Sequence, residues 1–137
     1  MKLEYPAKII LAWGEAITGN QQIREWLMQN GYAELGVFAF ALNNREEARQ
    51  WLMDNNHPHL MALIRGAEGD PNAILWLKKY DLNLLALVAR AADNDDDALH
   101  ELIQTDNGDF AALASKMRVV KNGIERDNND VHKYNIG

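Results

Sequence analysis

The chain has 137 residues, 47% of them hydrophobic, which suits one domain long enough to bury a core and excludes a disordered chain. It has no cysteine, so a disulfide framework, a thiolate zinc site and a cysteine nucleophile are excluded. The 20 acids against 14 Lys and Arg leave a formal charge of −6, a poor match for a phosphate backbone or an anionic membrane.

The chain opens with MKLEYPAKIILAWGEAI. Glu4 and Glu15 interrupt this apolar run, so it reads as mature protein and not as a secretory leader. No stretch approaches the roughly 18 continuous apolar residues of a membrane span, and a cytoplasmic setting is expected. Leu3 and Tyr5 are placed to fold back over the end of the first helix.

From there a phrase returns at 25-residue intervals: EWLMQN at 25–30, QWLMDN at 50–55 and LWLKKY at 75–80. Trp26, Trp51 and Trp76 share one column of this register, and Leu27, Leu52, Leu77 and Leu102 the next. Ile10, Leu35, Leu60, Leu85 and Phe110 form another, followed three residues on by Trp13, Phe38, Leu63, Val88 and Leu113. Leu35, Phe38, Ala39 and Leu42 fall at i, i+3, i+4 and i+7, one face of an α-helix. Val37 and Ala41 make that helix apolar nearly all round, as in a helix covered on several sides. REEARQWLM at 45–53 is amphipathic, so each row reads as a buried helix followed by a half-exposed one.

The breakpoints fall in register as well. Asp70 with Pro71 behind it, and Asn44 with Glu47 three on, read as starts of the second helix. Asn56, Asp81 and Asp106 read as caps of the first. Gly19, Asn44, Gly69 and Asn94 share the column between the two helices, where a left-handed backbone is easiest to accommodate. Helices this short are marginal alone, so stability must come from packing pair on pair. The fold predicted is all-α: a short right-handed α-solenoid of about five two-helix repeats over residues 1–126, with the indoles buried between neighbouring pairs. Asp127 to Asp130 argue against a continuing helix, and residues 127–137 are expected to form a frayed tail.

In these tandem helix pairs with fixed apolar columns, the chain resembles α-helical repeat proteins, HEAT-like or variant leucine-rich-repeat-like solenoids. The resemblance covers about residues 6–118 and is one of architecture only; it carries over no functional residue. It implies binding of another protein through a stacked surface.

Candidate sites are few. Arg65 and Arg90 occupy one column with Phe40, and Lys78 and Lys79 add positive charge on the half-exposed helix. On an open stack this set predicts a grip on a protein or peptide partner, acidic ones included, because Arg offers carboxylates a fixed donor fork. The acidic run at 93–97 and the pair His57 and His59 carry the residue types of metal sites without the spacing of one, so no metal is expected. Ser115 stands alone and no glycine-rich phosphate loop exists, so neither catalysis nor a cofactor is expected. The function predicted is a non-catalytic protein- or peptide-binding repeat module. The alternatives are a self-associating structural module, with the tryptophans paired across a dimer, and a nucleic-acid-binding helical repeat, which the negative charge disfavours.

Overall fold

A computed structural model describes the backbone of residues 4–136 and the side chains of residues 4–126. Among the described residues there are nine helices: α1 (Ala7–Ile17), α2 (Gln21–Gln29), α3 (Ala33–Leu42), α4 (Glu46–Asp54), α5 (Pro58–Ala67), α6 (Pro71–Lys79), α7 (Asn83–Ala92), α8 (Asp96–Gln104) and α9 (Gly108–Ile136). The turns between them are short, so consecutive helices run antiparallel and the odd-numbered helices share one direction.

One local device makes each of these turns. After α2, α4, α6 and α8 the N–H groups of Tyr32, His57, Leu82 and Asn107 donate back to the carbonyls of Leu27, Leu52, Leu77 and Leu102 at 2.8–2.9 Å. After α1, α3, α5 and α7 the same six-residue bond runs from Asn20, Arg45, Asp70 and Asp95 to Glu15, Phe40, Arg65 and Arg90. This is the Schellman closure, which needs a left-handed residue just before the donor. Gly19, Asn44, Gly69 and Asn94 supply it in one set, and Gly31, Asn56, Asp81 and Asp106 in the other, all with φ between 59° and 102°. Asn56, Asp81 and Asp106 therefore end the helix before them and do not cap the helix after. Asn44 likewise ends α3, and Arg45, at the N-cap of α4, makes no side-chain capping bond. Asp70 and Asp95 do cap, accepting from the N–H groups of Asn72 at 2.9 Å and Ala98 at 3.1 Å.

The same motif explains the recurring Trp-Leu pair. Each leucine lends its carbonyl to the closure, and Leu27, Leu52, Leu77 and Leu102 are fully buried. At the first two of these turns the indole one residue earlier meets the residue that closes the turn, the apolar contact that accompanies this cap. Trp26 stacks on Tyr32 at 6.3 Å and Trp51 on His57 at 5.9 Å, while Trp76 lies 4.5 Å from Tyr80. The indoles are thus not buried between neighbouring pairs. Trp26 is 47% exposed, and Trp51 and Trp76 are half-buried.

The open solenoid is overturned by the packing of the last helix. α9 packs against α1 as well as against α7, and it touches α3 and α5 across the middle. With α1 on α3 and α5 on α7, the five odd-numbered helices close into one bundle, and α2, α4, α6 and α8 lie around it. The resemblance to HEAT-like and leucine-rich-repeat-like solenoids fails for the same reason: a solenoid's first and last units do not meet. Small inner side chains permit close packing of the inner helices: Gly14, Ala39, Ala89 and Ala114 stand in one column, interrupted by Ile64. A Cβ at Gly14 would lie 2.9 Å from Lys116 Cδ of α9, and one at Gly66 would lie 2.8 Å from Ala89 Cβ of α7. The C-terminal end is one long helix, α9, which seals one flank of α1.

Leu3, expected to cover that end, lies outside the described residues. Tyr5 does cover it. Its ring lies 6.2 Å from Trp13 and 6.0 Å from Tyr32, and its hydroxyl donates to Glu34 Oε1 at 2.8 Å. Burial first, then the Glu34 bond and charge, push the Tyr5 phenol far above its ordinary pKa, so this donor keeps its proton. The side chains of the tail set apart from residue 127 onward lie outside the described residues; its backbone continues α9 to Ile136.

Candidate functional site

The outer helices α2, α4, α6 and α8 each rest on inner helices and do not pack on one another. A gap therefore opens between successive outer helices, floored by an inner one. Phe40, Arg65 and Arg90, one column in sequence, fall in three different gaps. Arg65 and Arg90, expected side by side, line different gaps on either side of α6. The expected repeat module falls with the open stack, since the first and last helices pack together.

The three gaps differ in what fills them. The first, of about 430 Å³, is walled by Phe40, Arg45, Ala48 and Trp51. Phe40 is already covered, since the Arg24 guanidinium sits 4.4 Å from its ring centre. The third, of about 370 Å³, brings Lys78 together with Arg90 but is lined about equally by polar and apolar groups, with Asn83 and Glu101 among the polar ones. Arg90 is also committed, bonded to Asp95 at 2.8 Å. The Ala98 N–H and then Arg90 hold the Asp95 carboxyl below the usual carboxylate range, so the pair is charged at neutral pH. Lys79 lies on the exposed side of α6 with its ammonium 5.8 Å from the Tyr80 ring.

The middle gap, of about 240 Å³, lies between α4 and α6 over α5. Met53 of α4 forms one wall at 51% exposure, Trp76 and Ala73 of α6 the other, and Pro58, Met61 and Ala62 the floor. Arg65 stands at the C-terminal end of that floor, exposed and with no ion-pair partner among the described residues. Asp70 lines the same groove, but its carboxylate is taken up capping α6 through the Asn72 N–H. A thioether, an indole and an unengaged guanidinium thus share one trough. Methionine adapts its shape to what it meets, and Trp and Arg are the side chains most enriched where binding energy concentrates.

Sequence reasoning finds Arg65 but misses Met53 and Met61. Met53 is legible in retrospect: it stands in the column Met28, Lys78 and Ile103, two residues past the indole and off the buried face marked by Leu52. Met61 is not, because it is a buried residue of α5 that only the tertiary packing places at the floor between α4 and α6.

The remaining candidates have structural partners. In the acidic run Asp93 pairs with Lys121 at 2.9 Å, Asp95 with Arg90, and Asp96 with Arg118 at 2.8 Å. His57 stacks on Trp51, and His59 is fully buried beneath it. Among the described residues no three His, Asp or Glu side chains are placed to hold a metal ion, and no helix is long and apolar enough to cross a membrane.

Fold and grooves together define an all-α closed bundle with open troughs on its rim, the one between α4 and α6 mostly apolar. Set against protein-family models, curated proteins and solved structures, the chain matches none.

Proposed function

We propose that this protein binds one α-helical segment of a protein partner, seated as an extra outer helix between α4 and α6. The observation that carries the reading is the coincidence in one groove of exposed Met53, half-buried Trp76 and unengaged Arg65. An amphipathic helix fills such a trough with apolar side chains at i and i+3 or i+4. Met53, Met61 and Trp76 would receive them, and a carboxylate on the same segment would meet Arg65, whose planar fork suits it. Asp70 beside Arg65 adds direction, since it repels a second acid placed further along. The role is binding, with no catalytic step and no cofactor, and we place it in the cytoplasm.

Selection from a displayed library of helical peptides tests the reading directly. Enriched sequences should carry two apolar residues one turn apart and an acid near one end. Trp76→Ala and Arg65→Glu should each weaken their binding about tenfold or more, equal to about 1.4 kcal/mol, while Arg90→Glu leaves it unchanged. Peptides indifferent to both groove substitutions would overturn it.

A further inference from the structure

Five inner helices close the ring, but among the described residues only four of its five seams carry an outer helix. Helix α2 rests on α1 and α3, α4 on α3 and α5, α6 on α5 and α7, and α8 on α7 and α9; no helix rests on α9 and α1 together. One column of the 25-residue register shows the consequence. Gly36, Met61, Ala86 and Ala111 are buried in it, the last three at 3%, 2% and 5% exposure. A Cβ at Gly36 would lie 3.2 Å from the Arg24 carbonyl oxygen, so the outer helix before α3 sits directly on this column. Leu11 holds the same place on α1 and is 50% exposed. Beside it Lys8, Ile9 and Ala12, with Ile23 and Trp26 of α2, line a hollow of about 280 Å³.

The chain does not build the fifth outer helix itself. Val119 falls in the column of Gly19, Asn44, Gly69 and Asn94, and a β-branched residue does not suit their left-handed backbone, so α9 runs on. Further along, Asp127 falls in the column of Leu27, Leu52, Leu77 and Leu102. A second copy has no outer helix to lend either, because α2, α4, α6 and α8 bury those leucines completely in their own core.

We infer that the vacant position between α8 and α2 receives a helix of about nine residues from a different protein, running antiparallel to α1 as the four outer helices do. Its inward face follows theirs: a small residue and a leucine four apart, as in Ala48 and Leu52 or Ala73 and Leu77, laid here against Leu11 and Ala12. Its last turn meets Lys8, just as Met53 in the last turn of α4 shares a groove with Pro58, which holds the place of Lys8 on α5. Lys8 is exposed and has no ion-pair partner among the described residues. An acid in that turn and the final carbonyls of the helix supply one. Lys116 and Glu15, paired across the seam, close its other end.

The probe is a peptide of residues 45–56, which carries Ala48, Leu52 and Asp54, braced as a helix by a hydrocarbon link between positions 46 and 50, both exposed in α4. Fluorescence anisotropy with the full chain should show saturable binding. Leu11→Glu in the protein, or Leu52→Ala in the peptide, should weaken it about tenfold or more, while Arg65→Glu, in the groove between α4 and α6, leaves it unchanged. No saturable binding, an undiminished affinity in folded Leu11→Glu, or an equal loss in Arg65→Glu each overturns the inference. Should Leu11→Glu fail to fold, ¹H–¹⁵N spectra of the parent chain take its place. Peptide-induced shifts at the amides of Leu11, Ala12 and Val119 support the inference, and shifts confined to α4, α5 and α6 overturn it.

Discussion

The two ends of the inner bundle are held by different forces. Where the inner helices begin, Tyr5, Trp13 and Phe38 pack edge to face, Trp13 and Phe38 at 5.0 Å, and the Tyr5–Glu34 bond is the polar tie among them. Where they end, charge does the joining. Lys116 pairs with Glu15 across α9 and α1, Lys121 pairs with Asp93 across α9 and α7, and Asn94 and Asn122 exchange two amide bonds. Arg118 donates through two nitrogens to the carbonyl of Ala91, and Arg49 through one to the carbonyl of Ala41. Helix polarity accounts for the difference. Carbonyls left over at a helix C-terminus carry partial negative charge and recruit cations, so ion pairs collect at that end. The apolar end is therefore expected to ignore salt, and the charged end to respond to it.

The largest effect should come from the apolar end. Trp13→Ala removes a fully buried indole from between Tyr5 and Phe38 and is expected to cost about 3–5 kcal/mol in urea unfolding, equally at low and high salt. At the charged end, Arg118→Met strips the Ala91 carbonyl and Asp96 of their partner and should cost about 1–3 kcal/mol, less at 1 M salt. A loss from Trp13→Ala that shrinks with salt, or one from Arg118→Met that does not, would break the contrast.

Within the turns, Leu52→Ala is expected to cost about 2–5 kcal/mol, and Trp51→Ala clearly less, because the leucine is fully buried and the indole only half so. Parity between them would mean that the indole does more than close its turn. A smaller effect concerns acid. The folded carboxyl of Asp95 titrates below its ordinary value near 3.8, so its contribution is complete above that pH and is lost as the pH falls through the lower folded value. Acid unfolding of Asp95→Asn should therefore show a flatter slope below about pH 4 than the parent. Smallest of all, Asp106→Gly relieves a left-handed backbone at φ 62° and should change stability by less than about 1 kcal/mol, in the stabilising direction.

Much of the local structure is written in short stretches of sequence. The apolar spacing of Leu35, Phe38, Ala39 and Leu42 marks α3, and the column of Gly19, Asn44, Gly69 and Asn94 marks where the chain turns left-handed. The groove was legible only in part. Arg65 stands out by its column, but its separation from Arg90 and its meeting with Met53 and Met61 do not. Asn56, Asp81 and Asp106 mislead because a small polar residue suits a cap before a helix and a left-handed residue after one about equally well.

Taken by itself, the sequence determines an all-α chain whose helices begin at 25-residue intervals and whose Leu27, Leu52, Leu77 and Leu102 face inward, since each of these choices is settled by contacts within about six residues. Whether the helices continue as an open row or join end to end was decided only in three dimensions. That outcome depends on contacts between helices far apart in sequence, such as Gly14 against Lys116, and no single stretch of chain carries them.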